Sequence, residues 1–148
     1  MWLLQCEKLM AFMIFMTAIS GAARAQDTAC AINKTDPAIK GVYVDNFGGM
    51  QEVSKSFWIS TDAVFEVCSV DNASDRIIAM NNPRNAYNPG KFSRFEWTNS
   101  ANRLWYCQIV FDAPSAAAAA AAAPANASNP AQTGCGNFAW SELIRILP

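Results

Sequence analysis

The sequence contains no histidine among its 148 residues. This absence excludes Ser-His and Cys-His nucleophile arrangements and removes the commonest side-chain ligand for zinc, copper and haem. The sequence also lacks the G-x-S-x-G, S-x-x-K and C-x-x-C motifs, which mark serine nucleophiles and redox thiol pairs. Covalent catalysis is therefore a disfavoured function class.

Charged residues are scarce, at 16%, and hydrophobic residues make up 52% of the chain. This composition argues against a disordered chain, and the many interspersed polar residues argue against a membrane bundle. The formal net charge is −1, and the basic residues form no stripe, so we expect no nucleic-acid partner. The length suits a single domain.

The first 25 residues have the pattern of a secretory signal peptide. Lys8 precedes an apolar run over residues 9–19, and Ala23-Arg24-Ala25 forms an A-x-A cleavage site. The run is much shorter than the roughly 20 residues that a membrane-spanning helix needs. We therefore predict cleavage after residue 25, a secreted or periplasmic protein and no membrane span after cleavage. An N-terminal arm over residues 26–38 and one domain over residues 39–148 would remain.

An even number of cysteines remains after that cleavage, namely Cys30, Cys68, Cys107 and Cys135. In an exported chain this number predicts two disulfides, each contributing about 2–4 kcal/mol to stability. Four cysteines allow three pairings, and the sequence alone does not decide among them. We favour Cys107–Cys135, which would close the segment before the last strand, and Cys30–Cys68, which would attach the N-terminal arm.

From residue 39 onward, apolar residues recur with a period of two, and turn-forming residues interrupt them every 10–15 positions. This pattern predicts a mainly β, single antiparallel domain, either a small barrel or a sandwich. About seven strands are expected, over residues 39–44, 52–60, 63–70, 76–80, 91–98, 103–111 and 142–147.

Two of these strands carry a prediction about which face is buried. In the second strand, Val53, Phe57 and Ile59 would share one face. In the sixth, Trp105, Cys107, Ile109 and Phe111 would face the core, while Tyr106 and Gln108 would face outward or toward a second layer.

An alanine run late in the chain predicts the one helix. Asp112-Ala113-Pro114-Ser115 is a helix-start signal, alanines occupy residues 116–123, and Pro124 ends the run. A helix of about 8–11 residues is marginal alone, so it would have to pack on the sheet. The alternative is an alanine linker without fixed structure.

Carboxylates offer two candidate chemistries. Glu66 and Glu96 lie in mid-strand and could form a hydrolase pair, although nothing in the sequence sets their separation. Asp45-Asn46, Asp71-Asn72 and Asp75 could hold calcium at strand ends, but the EF-hand spacing is absent and such residues are common in turns. We predict no metal and no cofactor.

Aromatic residues favour a different function, because exposed rings on β domains bind ligands by stacking. Trp97 and Trp105 are expected in the core. Tyr87, in the turn-rich segment 81–90, and Tyr106, on the opposite face from Trp105, are the better candidates for ligand contact, together with Arg94. We predict a non-enzymatic binding module for a glycan, a peptide or another envelope protein. The alternatives are the Glu66/Glu96 hydrolase and a purely structural envelope protein.

Three sequence blocks carry a resemblance. They are NPGKFSRFEW at residues 88–97, WYCQ at residues 105–108 and GCGNFAW at residues 134–140. The combination resembles small exported bacterial proteins and lipoproteins of unknown function. The resemblance implies export and suits a Cys107–Cys135 pair, but it implies no catalytic residue. Unlike the lipoproteins, this chain has no cysteine at the predicted cleavage site.

Overall fold

The structure is a computed structural model that describes Cys30 and residues 35–147, without the side chain of Leu147. The predicted signal peptide and most of the predicted arm lie outside the described residues. The described residues form eight strands and one helix, in chain order: β1 (Gly41–Asp45), β2 (Met50–Val53), β3 (Phe57–Ser60), β4 (Ala63–Asp71), β5 (Arg76–Asn81), β6 (Phe92–Ser100), β7 (Arg103–Ala113), α1 (Ala116–Ala121) and β8 (Ser141–Leu147).

Each strand pairs antiparallel with the next strand in sequence, and β8 pairs with β1. The sheet is therefore a closed barrel, which confirms the mainly β prediction and selects the barrel over the sandwich. There is one more strand than the seven predicted, because the second predicted strand is a hairpin of β2 and β3.

The hairpin turns at Ser54, which the sequence analysis placed inside a strand. The backbone N–H of Ser54 donates to the carbonyl of Phe57 at 2.9 Å, and the Ser54 hydroxyl oxygen accepts from the Phe57 N–H at 3.0 Å. The turn reverses the alternation of side chains. The prediction that Val53, Phe57 and Ile59 share a face is therefore wrong: Val53 is buried, whereas Phe57 and Ile59 are 43% and 36% exposed.

The predicted faces of β7 are also inverted. Leu104 and Tyr106 pack against the barrel core, while Trp105 and Cys107 lie on the outer wall and pack with Trp140. Both faces of β7 are covered, because the segment between α1 and β8 forms a second layer outside the barrel. When an outer layer covers a strand in this way, the alternation of its apolar residues does not reveal which face points into the barrel.

Aromatic rings fill the centre of the barrel. Trp58, which has no exposed surface, stacks on Phe95 with ring centroids 4.3 Å apart. Phe65 meets Phe95 edge to face at 4.9 Å. Trp97 is buried in the same cluster, as the sequence analysis predicted.

Side chains also pack tightly at the end of the barrel where β1 begins. The hydroxyl of Tyr43 donates to the carbonyl of Ile39 at 2.7 Å, and both residues are buried. Arg145 donates to the Tyr43 hydroxyl oxygen at 2.6 Å, and its guanidinium lies 4.8 Å from the ring centroid. Buried side chains thus fill the barrel interior at this end, which we call the closed end, and a separate cavity of about 340 Å³ lies beside it between the ends of β1 and β2.

Helix α1 packs on the outer wall over β5, β6 and β7. Ser115 is its N-cap, because the Ser115 hydroxyl oxygen accepts from the N–H of Ala118 at 3.1 Å. The helix is shorter than predicted, since the backbone is extended from Ala122 onward.

Arg94 anchors the C-terminal end of α1 to the sheet. Its side chain is 1% exposed and donates to the carbonyls of Ala119, Ala120, Ala122 and Ala123. Glu96 completes the anchor: one carboxylate oxygen lies 2.8 Å from Nη2 of Arg94, and the other accepts from the N–H of Ala125 at 2.9 Å. The charge of Arg94 also favours this position, since the C-terminus of a helix attracts cations.

Two disulfides join the outer layers to the barrel, Cys30–Cys68 and Cys107–Cys135. Both predicted pairings are confirmed. Disulfides indicate an oxidising, non-cytoplasmic environment. Within the described residues, no helix is long and apolar enough to cross a membrane.

Replacing Arg94 with methionine should lower the free energy of unfolding by about 3–5 kcal/mol, because Glu96 would remain buried without its cation. The additional change Glu96→Gln should recover part of the loss. Denaturant unfolding of both variants measures this. A loss under about 1 kcal/mol for Arg94→Met would contradict the anchoring role.

Gly134→Ala should cost about 2 kcal/mol or more, since a Cβ there would lie 1.8 Å from the carbonyl oxygen of Asn126. Gly136 is the matched control. It also has a positive φ, of 59°, but a Cβ there meets nothing within 4 Å, so Gly136→Ala should cost only about 1–2 kcal/mol. Equal melting temperatures for the two variants would show that a clash between a Cβ at residue 134 and Asn126 does not determine the loss of stability.

Candidate functional site

The end of the barrel opposite Ile39 is open. Two adjoining cavities of about 430 and 420 Å³ lie there, and both are lined by Ser60, Asp62, Phe65 and Gln108. We call these two cavities together the barrel mouth. The turns after β1, β3 and β5 form its rim.

Asp45, the last residue of β1, supplies a carboxylate to the wall of the mouth. One oxygen accepts from the N–H groups of Phe47 and Gly49 at 2.9 and 2.8 Å, and the other accepts from Nε2 of Gln51 at 3.0 Å. The side chain is only 7% exposed, and no lysine or arginine pairs with it in the described part of the chain. The carboxylate is thus held in place by neutral donors.

Gln51 connects this carboxylate to the aromatic core. Its carbonyl oxygen accepts from Nε1 of Trp58 at 2.9 Å, while its amide nitrogen donates to Asp45. The indole of Trp58 also lies 5.3 Å from the ring of Tyr106. The mouth therefore has an aromatic floor, formed by Phe65, Phe95 and Tyr106, with fixed polar atoms beside it.

Tyr106 presents a hydroxyl to the mouth, 3.5 Å from the second oxygen of Asp45. Burial of the ring, followed by the negative charge of Asp45, raises the pKa of Tyr106 to about 12. The hydroxyl therefore stays protonated at neutral pH and acts as a donor.

A second polar chain fixes the opposite wall. Nε2 of Gln108 donates to the hydroxyl of Ser93 at 2.9 Å, and this hydroxyl donates to Oδ1 of Asn81 at 2.6 Å. The amide of Asn81 then donates to the carbonyls of Asn88 and Phe111, both at 2.9 Å. This chain orients Gln108 and ties the rim segment 82–91 to the barrel, so the mouth is preformed.

The predicted contact residues lie in different places. Tyr106 lines the interior of the mouth, so its predicted outward position was wrong. Tyr87 lines the second cavity and is 84% exposed at the rim, in agreement with its predicted exposure. Arg94 is buried on the outer wall beneath α1, where its guanidinium is committed to helix carbonyls.

The two candidate catalytic carboxylates do not meet at the mouth. Glu96 is bound to Arg94 and to the backbone of Ala125. Glu66 lies on β4 opposite Met80 of β5, whereas Glu96 lies opposite Arg76, near the other end of the same strand. Neither glutamate lines the two cavities.

Gln51, Gln108 and Ser93 were not predicted as site residues from the sequence, and Asp45 was predicted only as a turn residue or calcium ligand. A usable signal was present, because Gln51 and Ser93 lie two positions before the apolar residues Val53 and Phe95 and therefore share the inward face of their strands. Polar residues at inward positions of a small barrel are unusual unless they serve a site or a network. In the described residues, no group of three or more His, Cys, Asp or Glu side chains could hold a metal ion.

Comparison with known proteins gives no assignment: no protein-family model, no curated protein and no solved structure matches this chain significantly. The function must therefore be argued from the site.

The raised pKa of Tyr106 predicts a loss of stability at high pH. The unfolded chain would release this proton near pH 10 and the folded chain near pH 12. The contribution of the protonated Tyr106 to the free energy of unfolding is therefore fully present below pH 10 and is lost as the pH rises toward 12. Tyr106→Phe should remove this part of the pH dependence. Unfolding free energies across that range measure it, and identical pH profiles for the two proteins would contradict the buried position of Tyr106.

Proposed function

We propose that this protein is an exported, non-enzymatic binding protein that holds a small ligand in the barrel mouth. The observation that carries the proposal is the contrast between the two barrel ends. At one end the buried side chains of Ile39 and Tyr43 fill the interior, while the other end opens into a cavity of about 430 Å³ that is lined by both polar and aromatic side chains. Eight-stranded barrels are wide enough to hold one small ligand, and ligand cavities usually measure about 300–1,000 Å³.

The chemistry of the mouth supports recognition of a ligand. A small number of oriented polar groups beside an apolar floor is the usual composition of a ligand site. Here Asp45, Gln51, Gln108 and Tyr106 are the polar groups, and hydrogen bonds to neighbouring residues orient them. Such preorganisation reduces the entropy that binding must overcome.

The two alternative functions have less support. A purely structural envelope protein needs no concave aromatic cluster, whereas Phe65, Phe95 and Tyr106 form one. A hydrolase that uses Glu66 and Glu96 needs both carboxylates at one cavity, and their positions do not provide this.

The location proposed for the protein is the periplasm or the extracellular space. Two features support it: the signal-peptide pattern of residues 1–25 and the disulfides Cys30–Cys68 and Cys107–Cys135. The resemblance to exported bacterial proteins suggests a bacterial envelope as the setting.

Thermal-shift measurements on the oxidised protein test the binding function, with envelope glycans, short peptides and small amines as candidate ligands. A ligand at about 100 times its dissociation constant stabilises the folded state by about 2.7 kcal/mol, which raises the melting temperature by several degrees. Ser60→Phe would fill the mouth from β3 and should abolish the shift. Ser56→Phe, in the turn at the closed end, is the matched control and should keep it.

Two results would contradict the proposal. One is a flat response to the whole panel with a cooperative melt. The other is a shift that survives Ser60→Phe but not Ser56→Phe, since the ligand would then bind at the closed end.

A further inference from the structure

The walls of the barrel mouth carry charge of one sign only. Asp45 and Asp62 line the first cavity, and Asp62 also lines the second. No lysine or arginine is among the described residues that line either cavity. Arg84 and Lys91 of the rim segment 82–91 do not line either cavity, so the charged groups that a ligand would contact on these walls are carboxylates.

Asp45 is the more important of the two carboxylates, because it is only 7% exposed and the groups that donate hydrogen bonds to it are all neutral. A buried charge is costly unless it is paired and fully hydrogen-bonded. The N–H groups of Phe47 and Gly49 and the amide of Gln51 supply hydrogen bonds but no opposite charge. A cationic group in the cavity would supply it.

The aromatic floor is the second, independent observation. Phe65, Phe95 and Tyr106 line the same cavity as Asp45. Aromatic faces attract organic cations, and they also stack with flat apolar groups. Since Tyr106 keeps its proton, its ring adds no charge of its own that would change this preference at neutral pH.

We propose that the ligand of the barrel mouth is an organic cation, namely an amine or ammonium group attached to a flat apolar body. The cation would lie beside Asp45 and Asp62, and the apolar body would contact Phe65, Phe95 and Tyr106. This inference rests on the proposed binding function and adds the chemical class of the ligand. A neutral oligosaccharide is the competing ligand class, because it could use the same hydrogen-bonding groups without a charge.

Three probes that share an indole ring and differ in charge separate these classes. Tryptamine is cationic, tryptophol is neutral and indole-3-acetate is anionic. Calorimetric titration of the oxidised protein at low ionic strength should give the tightest binding for tryptamine, by about tenfold over tryptophol. Indole-3-acetate should bind most weakly, and added salt should reduce the preference for tryptamine.

A charge-neutralising variant tests whether a carboxylate of the barrel mouth causes the preference for the cationic probe. Asp62 is an exposed rim residue, so Asp62→Asn should leave the fold intact and lower the affinity for tryptamine about two- to fivefold. Tryptophol binding should not change. Glu52→Gln removes the same charge from the exposed outer wall of β2 and is the matched control, with no expected effect on either probe.

The outcomes separate the inference from the function it rests on. Equal or tighter binding of tryptophol overturns the cationic preference, and so does binding of a neutral oligosaccharide when none of the three indoles binds. In both cases a binding function at the mouth survives. If neither the indoles nor the glycans and peptides of the wider panel bind, both proposals fail.

Discussion

Pairing between β1 and β8 closes the sheet, and this closure decides which side chains are inside and which are outside. A sheet of eight strands encloses a volume that side chains can just fill. Here Trp58, Phe95 and their neighbours fill the centre and one end, while smaller and polar residues such as Ser60 and Gln108 line the other. The cavity is therefore a consequence of where large side chains are placed along the barrel.

The outer layer stabilises the strands that carry the site. Arg94 fixes α1 on β6, and Cys107–Cys135 fixes the following segment on β7. The same two strands present Ser93 and Tyr106 to the interior. Each of these strands is thus held from outside while it positions a site residue inside. This arrangement allows buried polar groups at the mouth, because their partners are held in fixed positions.

Much of the fold could be predicted from the sequence, since alternation of apolar residues is a direct consequence of strand geometry. The strands and the Ser115 helix start follow from local pattern, and the even number of cysteines indicates two disulfides, although it leaves three pairings open. The β2–β3 turn could not be predicted in this way, because Ser54-Lys55-Ser56 contains neither glycine nor proline. The sequence also did not reveal which face of β7 points into the barrel, because Trp105 and Tyr106 are both large and both faces of the strand are covered.

The site was harder to predict than the fold. Tyr87 and Tyr106 were chosen as exposed aromatics, and both lie at the mouth, but Tyr106 reaches it from inside the barrel. Asp45 lies 61 positions before Tyr106 in the sequence, and the pairing of β1 with β8 and of β7 with β8 brings the two residues together. Such proximity depends on tertiary structure, so it cannot be obtained from a local pattern. Arg94 illustrates the reverse case, in which a residue predicted to contact a ligand is buried beneath a helix.

The central claim is that a packed barrel opens at one end into a preformed cavity that its own side chains leave unfilled. A high-resolution crystal structure of the oxidised protein without added ligand tests it most directly. We expect ordered water molecules hydrogen-bonded to Asp45, Tyr106 and Gln108, and none around Trp97 at the closed end. A mouth filled by the side chains of its own rim, with Phe47 or Tyr87 folded onto Phe95 and no water between them, would contradict the claim.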